Sequence, residues 1–217
     1  MKEFKINTFK ELRVYIASDL YRYMTSTSLK AYVRGWYIAG FRYTFFMRCC
    51  KYFSGKGLKA MIPFVVCRMV LRHYSVIYGY QIPWQTNIGP GLYIGHYGTI
   101  IVNPHSTIGV NCNITDGVLL GLNGRTDEAG KLIRFEYPFV GNRVLLGNNA
   151  KIIGGVTIGN DAFIGVSSVI TNDIPKNAVV VGIPGRIISY KGSSSFVGSF
   201  YPESKLYDEE ENPVHSK

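Results

Sequence analysis

A period of six residues constrains this chain more than any other feature of its sequence. Val140, Leu146, Ile152, Ile158, Ile164 and Ile170 fall at strict six-residue steps, and Ile82, Ile88, Ile94 and Ile100 do the same upstream. After a two-residue slip, read at Pro104-His105, the pattern resumes at Ile108, Ile114 and Leu120. Four residues beyond these apolar positions a small or β-branched residue recurs: Gly98, Cys112, Val118, Val144, Ala150, Val156, Ala162 and Ser168. A glycine often follows the apolar residue directly, as at Gly89, Gly95, Gly109, Gly121, Gly141, Gly147, Gly159 and Gly165.

Ordinary half-buried strands alternate with period two and give no such runs. A six-residue repeat instead predicts a mainly β fold, the left-handed parallel β-helix, in which each hexapeptide contributes one short strand and one turn. Three hexapeptides close a triangular coil; the aliphatic residue points inward, and the fourth position beyond it must be small to fit beside it. The turn glycines are expected to supply backbone dihedrals that other residues reach only with strain.

Two segments leave the period. Residues 122–139, LNGRTDEAGKLIRFEYPF, are polar and out of phase, and read as an excursion loop between coils, the kind of segment that often carries function. After Pro175 the repeat stops; residues 191–217, rich in Ser, Gly and acids, read as a loosely ordered C-terminal tail. The β-helix is thus expected over residues 81–190.

Residues 1–80 form a separate, basic and aromatic α-helical region. Thr8 stands three residues before Glu11 as a capping box, with Leu12, Tyr15, Ile16 and Leu20 on one helical face. Leu29 to Phe53 and Leu58 to Tyr78 read as two further helices separated at Ser54-Gly55-Lys56-Gly57. Eighteen of the 30 aromatic residues lie here.

The formal charge of +10 hides an asymmetry. Residues 1–80 carry 14 basic residues against Glu3, Glu11 and Asp19, whereas residues 81–217 hold 10 basic and 11 acidic ones. A near-neutral β-helix without a basic stripe argues against nucleic acid as a partner. The basic helices either pack on the β-helix and on other subunits or touch an anionic membrane surface. No basic segment with an apolar core and a cleavage site opens the chain, and Cys49, Cys50, Cys67 and Cys112 form neither a CxxC pair nor a disulfide framework. The expectation is a cytoplasmic protein, with contact at the inner face of the membrane as an option.

The segments Tyr78-Gly79-Tyr80-Gln81-Ile82, Gly95-His96-Tyr97-Gly98-Thr99-Ile100-Ile101, Gly117-Val118-Leu119-Leu120-Gly121, Tyr137-Pro138, Ala150-Lys151-Ile152-Ile153-Gly154 and Val181-Gly182-Ile183-Pro184-Gly185-Arg186 carry a resemblance over roughly residues 70–190. The chain resembles the serine acetyltransferase branch of the hexapeptide-repeat acyltransferases, and most of all their shorter relatives that O-acetylate bacterial surface polysaccharides of the colanic-acid type. The resemblance implies acetyl transfer from acetyl-CoA to a hydroxyl, no metal, and a homotrimer with active sites between subunits. It assigns the general base to His96, a role that suits an imidazole near neutral pH. Register places Asp116 one coil beyond His96, where a carboxylate could hold the imidazole. By position the resemblance implies that Gly121, Asn123, Asn148, Val166 and Arg186 contact acetyl-CoA, and that Gln81, Tyr97 and Tyr137 face the acceptor.

Serine acetyltransferases carry carboxylates or a histidine where this chain has Gln81, Gly95 and Tyr137. Those departures lead to the expectation of a sugar hydroxyl as acceptor, in a surface polysaccharide or its precursor, with L-serine second. A non-catalytic trimeric scaffold is a further alternative. A metal-dependent hydratase would need three converging histidines, and only His96 and His105 fall in the repeat region.

Overall fold

The computed structural model describes residues 3–126 and 128–206. The hexapeptides build a left-handed parallel β-helix with three faces. The first holds Tyr80–Gln81, Ile100–Val102, Leu119–Gly121, Lys151–Ile153 and Val169–Ile170; the second runs from Asn87–Ile88 to Thr157–Ile158; the third begins at Tyr93–Ile94 and ends at Val179–Val181. Inside, Val102, Leu120, Ile152 and Ile170 stack in one column, Ile88, Ile108, Val140 and Ile158 in a second, and Ile94, Ile114, Leu146, Ile164 and Val180 in a third. All thirteen are almost fully buried, as are Cys112, Val144, Ala150, Ala162 and Ser168 at the small positions. Each aliphatic side chain of the three columns contributes about 1.5–3 kcal/mol by leaving water.

The slip lies elsewhere than at Pro104-His105. Ile94 pairs with Ile114, twenty residues on, whereas Val102 pairs with Leu120, eighteen on. The two extra residues therefore sit between Ile94 and Val102, in the turn that carries His96. Ile100 aligns with Tyr80 rather than with Ile82.

The turn glycines also have a different reason from the expected one. Gly89, Gly109 and Gly141 do not have positive φ; the left-handed positions are two residues further along, at Gly91, Asn111 and Arg143. A Cβ on Gly109 would lie 2.5 Å from the carbonyl oxygen of Gly141, and one on Gly89 2.8 Å from the carbonyl carbon of Gly109. These glycines permit backbones of successive coils to touch at an edge.

Four helices cover the first coil: α1 (Phe9–Met24), α2 (Leu29–Gly35), α3 (Ala39–Phe53) and α4 (Leu58–Tyr78). The capping box at Thr8 and Glu11 opens α1 as expected. The single helix expected over Leu29 to Phe53 is broken into α2 and α3. Two close approaches accompany the break: a Cβ on Gly35 would meet Leu20, and one on Gly40 would meet the carbonyl of Ile94.

The first coil has no preceding coil to pair with, and side chains from α1 and α3 take that place. Arg48 donates to the carbonyls of Ile88 (2.8 Å) and Gly89 (2.7 Å) while its guanidinium pairs with Asp19 (2.9 Å). Asp19 in turn accepts from the Leu92 N–H (2.8 Å), and Ser18 from that of Gly91 (3.0 Å). Arg22 donates to Gly91, Lys51 to Thr86 and the Tyr43 hydroxyl to Ile82. Burial lowers Arg22 to about 10, and burial together with neighbouring Arg48 lowers Lys51 to about 8. Part of the basic excess of residues 1–80 therefore caps main-chain carbonyls.

The excursion is not a loop but a hairpin, with Asn123–Thr126 antiparallel to Leu132–Glu136. Residues 191–206 are tied down rather than loose: Ser193 is buried, Tyr201 and Asn111 exchange hydrogen bonds, and Arg22 donates to the Ser199 carbonyl (2.7 Å). Residues 207–217 lie outside the described part.

Candidate active site

Turns between the third and first faces form one edge of the prism. Because Ile114, Leu146 and Ile164 are in register, the residues two positions later fall in line along it, Asp116, Asn148 and Val166; in the first coil the two extra residues of the His96 turn set Gly98, not His96 as the register had implied, against Asp116. Val180 continues the column, and the antiparallel closing strand sets Arg186 against Val181 at its far end. Five strand spacings separate the two ends, roughly 24 Å.

His96 stands exposed in the widened turn. Its carbonyl accepts from the Tyr80 hydroxyl (2.9 Å), a phenol that burial raises well above its ordinary range and so keeps as a donor. The Gly98 N–H donates to Tyr78 (3.1 Å), and the Tyr97 ring lies 5.6 Å from that of Tyr78. The main chain is thus held from below while the imidazole has no hydrogen-bond partner among the described residues. Asp116 lies beneath this turn: a Cβ on Gly98 would approach its Cβ to 2.8 Å, and its carboxylate accepts from the Asn148 side-chain amide. Val166 is 62% exposed and Arg186 is exposed.

The other residues expected at the site lie elsewhere. Gly121 and Asn123 sit on the next edge, between the first and second faces, where the hairpin leaves the coil. Tyr137 packs there against His105, ring centroids 4.9 Å apart, beside a cavity of about 470 Å³ lined also by Arg125, Arg134 and Glu136. Hydrogen bonds from Arg134, with Arg125 assisting, hold the Glu136 carboxyl below its usual range. Gln81 lines a cavity of about 270 Å³ between the first coil and Arg68, Leu71 and Arg72 of α4. Within a single chain the expected residues therefore fall on separate edges.

Sequence reasoning missed the Tyr80 support, the Asn148–Asp116 hydrogen bond and the His105–Tyr137 pair. The eight-residue step from Ile94 to Val102 was the available signal for the widened turn. Among the described residues no three His, Cys, Asp or Glu gather as metal ligands.

Residues 137–172 match the family described as "Bacterial transferase hexapeptide (six repeats)". The chain is 33% identical over 128 residues to a serine acetyltransferase of Synechococcus elongatus, covering 59% of this chain and 50% of that one. It is 34% identical over 145 residues to the serine acetyltransferase of Staphylococcus xylosus, covering 67% of this chain and 63% of that one. The chain thus spans half to just under two thirds of these relatives. A serine acetyltransferase solved in complex with CoA superposes with a TM-score of 0.62 at 24% identity, over 83% of this chain and 70% of that one, a likeness of fold.

These matches overturn the expectation of a surface polysaccharide as acceptor. The departures at Gln81, Gly95 and Tyr137 had suggested it, yet Gln81 and Tyr137 do not share the His96 edge within one chain. In sequence the chain is similar to serine acetyltransferases over part of their length, and in fold it is a hexapeptide-repeat β-helix of the kind those enzymes share.

Proposed function

We propose that the protein transfers acetyl from acetyl-CoA to the hydroxyl of L-serine, with His96 as general base. The observation that carries this reading is the edge itself, with an exposed imidazole at one end and the Arg186 guanidinium at the other. A thioester at the end of a long arm, with phosphates at the other, matches that spacing of base and cation. Val166 offers the arm an apolar contact, and Asn148 a polar one. Bound acetyl-CoA would supply the acyl group.

His96 takes the proton of the acceptor hydroxyl as its oxygen bonds to the thioester carbonyl carbon. The carbon–sulfur bond then breaks, and the imidazolium returns the proton to the departing thiolate. Asp116 is the positioning residue: it lies against Gly98 of the same turn with one oxygen held by Asn148, and its other oxygen is assigned to accept from His96. The placement of these residues on separate edges supports a homotrimer, in which Gly121, Asn123, His105 and Tyr137 of one subunit would face His96 and Tyr97 of the next.

Incubated with acetyl-CoA, the protein should release free thiol in the presence of L-serine and not with an oligosaccharide. Thiol release without dependence on serine, or none at all, overturns the assignment. Asp116→Asn should lower kcat on the order of tenfold or more and displace the limb of the pH–rate profile that reports His96. An unchanged profile removes Asp116 from the mechanism.

A further inference from the structure

Helix α4 turns its apolar side outward. Ala60, Leu71 and Tyr78 are buried, and Phe64, Cys67 and Tyr74 pack beside them against the core of the prism. On the opposite side Leu58, Ile62, Val65, Met69 and Val76 face solvent, with Leu58 at 84% and Val76 at 77% exposure. At 1.5 Å per residue the stripe runs for roughly 30 Å. By length and composition alone this helix could cross a membrane. Its inner stripe, however, shares a core with the prism, so the helix lies along a surface rather than through one.

Charge identifies the occupant. At 3.6 residues per turn, Lys59 falls on one flank of the stripe and Arg68 and Arg72 on the other, all exposed, with Lys56 just before the helix. The sequence holds no Asp or Glu between Asp19 and Asp116. A second copy docked by twofold symmetry would set these cations against their own counterparts with no nearby carboxylate to separate them. An anionic bilayer supplies both an apolar layer for the stripe and negative charge for its flanks.

We propose that the outer face of α4 docks the protein on an anionic phospholipid surface. Leu58, Ile62, Val65, Met69 and Val76 enter the boundary between headgroups and acyl chains, and Lys59, Arg68 and Arg72 meet the lipid phosphates. Tyr78, at the end of the helix, touches Tyr97 beside His96. The His96 turn therefore packs at the C-terminal end of α4, on the side away from the lipid-facing stripe. The proposal does not depend on which hydroxyl is acetylated.

The full chain is tested by sedimentation with phosphatidylcholine vesicles with and without phosphatidylglycerol. It should bind only the anionic vesicles and be released by salt. The double variant Val65→Glu/Met69→Glu should abolish binding while thiol release from acetyl-CoA is kept. Arg68→Gln and Arg72→Gln should each weaken binding by roughly fivefold, and they decide the matter if the glutamate variant fails to fold. Absence of binding to anionic vesicles overturns the proposal, as does binding that the variants leave intact. So does a glutamate variant that dissolves the oligomer of a protein that ignores vesicles, since a second copy would then cover α4.

Discussion

His96→Ala is expected to lower kcat by about 10²–10⁴-fold, the usual contribution of a general base, with little change in KM for acetyl-CoA. The side chain is exposed and has no hydrogen-bond partner among the described residues, so its removal leaves the melting temperature where it was. His105→Ala provides the contrast. That imidazole packs at a tilt against Tyr137 at the other edge, so its loss should raise KM for the acceptor more than it lowers kcat. Steady-state thiol release with both variants separates the roles. A His96→Ala enzyme within a fewfold of the parent would leave the edge without its base.

The second large effect concerns folding. Asp19 and Arg48 are 0% and 1% exposed, and between them they hold the Leu92 N–H and the carbonyls of Ile88 and Gly89. Asp19→Ala leaves a guanidinium buried without its counter-ion and an amide without an acceptor, which costs about 3–5 kcal/mol. In a domain of this size that is a drop of roughly 10 °C in melting temperature. Arg48→Met should be comparably damaging, because two main-chain carbonyls lose their donors. The double variant Asp19→Ala/Arg48→Met should cost less than the sum of the two, since it leaves no lone charge. Additive losses would mean that the two groups act independently.

The β-helix was legible because its constraint is local and repeated. Each inward position, from Ile88 to Ile170, must be aliphatic, and each position four later must be small, so the period survives in the sequence. The position of the slip was not legible in the same way. Ile100 and Val102 are both apolar and both buried, and a count of hydrophobic residues cannot tell which of them stays in register with Leu120. The hairpin after Leu122 was hidden because its strands are exposed and charged, with Arg125 and Arg134 sharing Glu136. The line of Asp116, Asn148 and Val166 was legible as spacing, whereas the offset of His96 from it was not, because the slip lies in the His96 turn itself. Gly121, Asn123 and Tyr137 were assigned to a site shared between subunits, but sequence order does not reveal which edge of one chain a coil turns them onto, and they lie on the edge next to that of His96. The acceptor was misread for a related reason: residue identities at Gln81 and Tyr137 were weighed before it was known which way those positions face.

The helical cover on the first coil also sets the length of the molecule. A stack of parallel coils is a filament in principle, because each end presents unpaired main chain on which a further coil, from any copy, could add. Here one end is stoppered by Arg48, Asp19, Arg22 and Tyr43, and the other by the reversed strand Arg186–Ser189. The residues that close the solenoid thereby keep it a discrete particle, and a chain stripped of its helices would expose a template for growth in one direction.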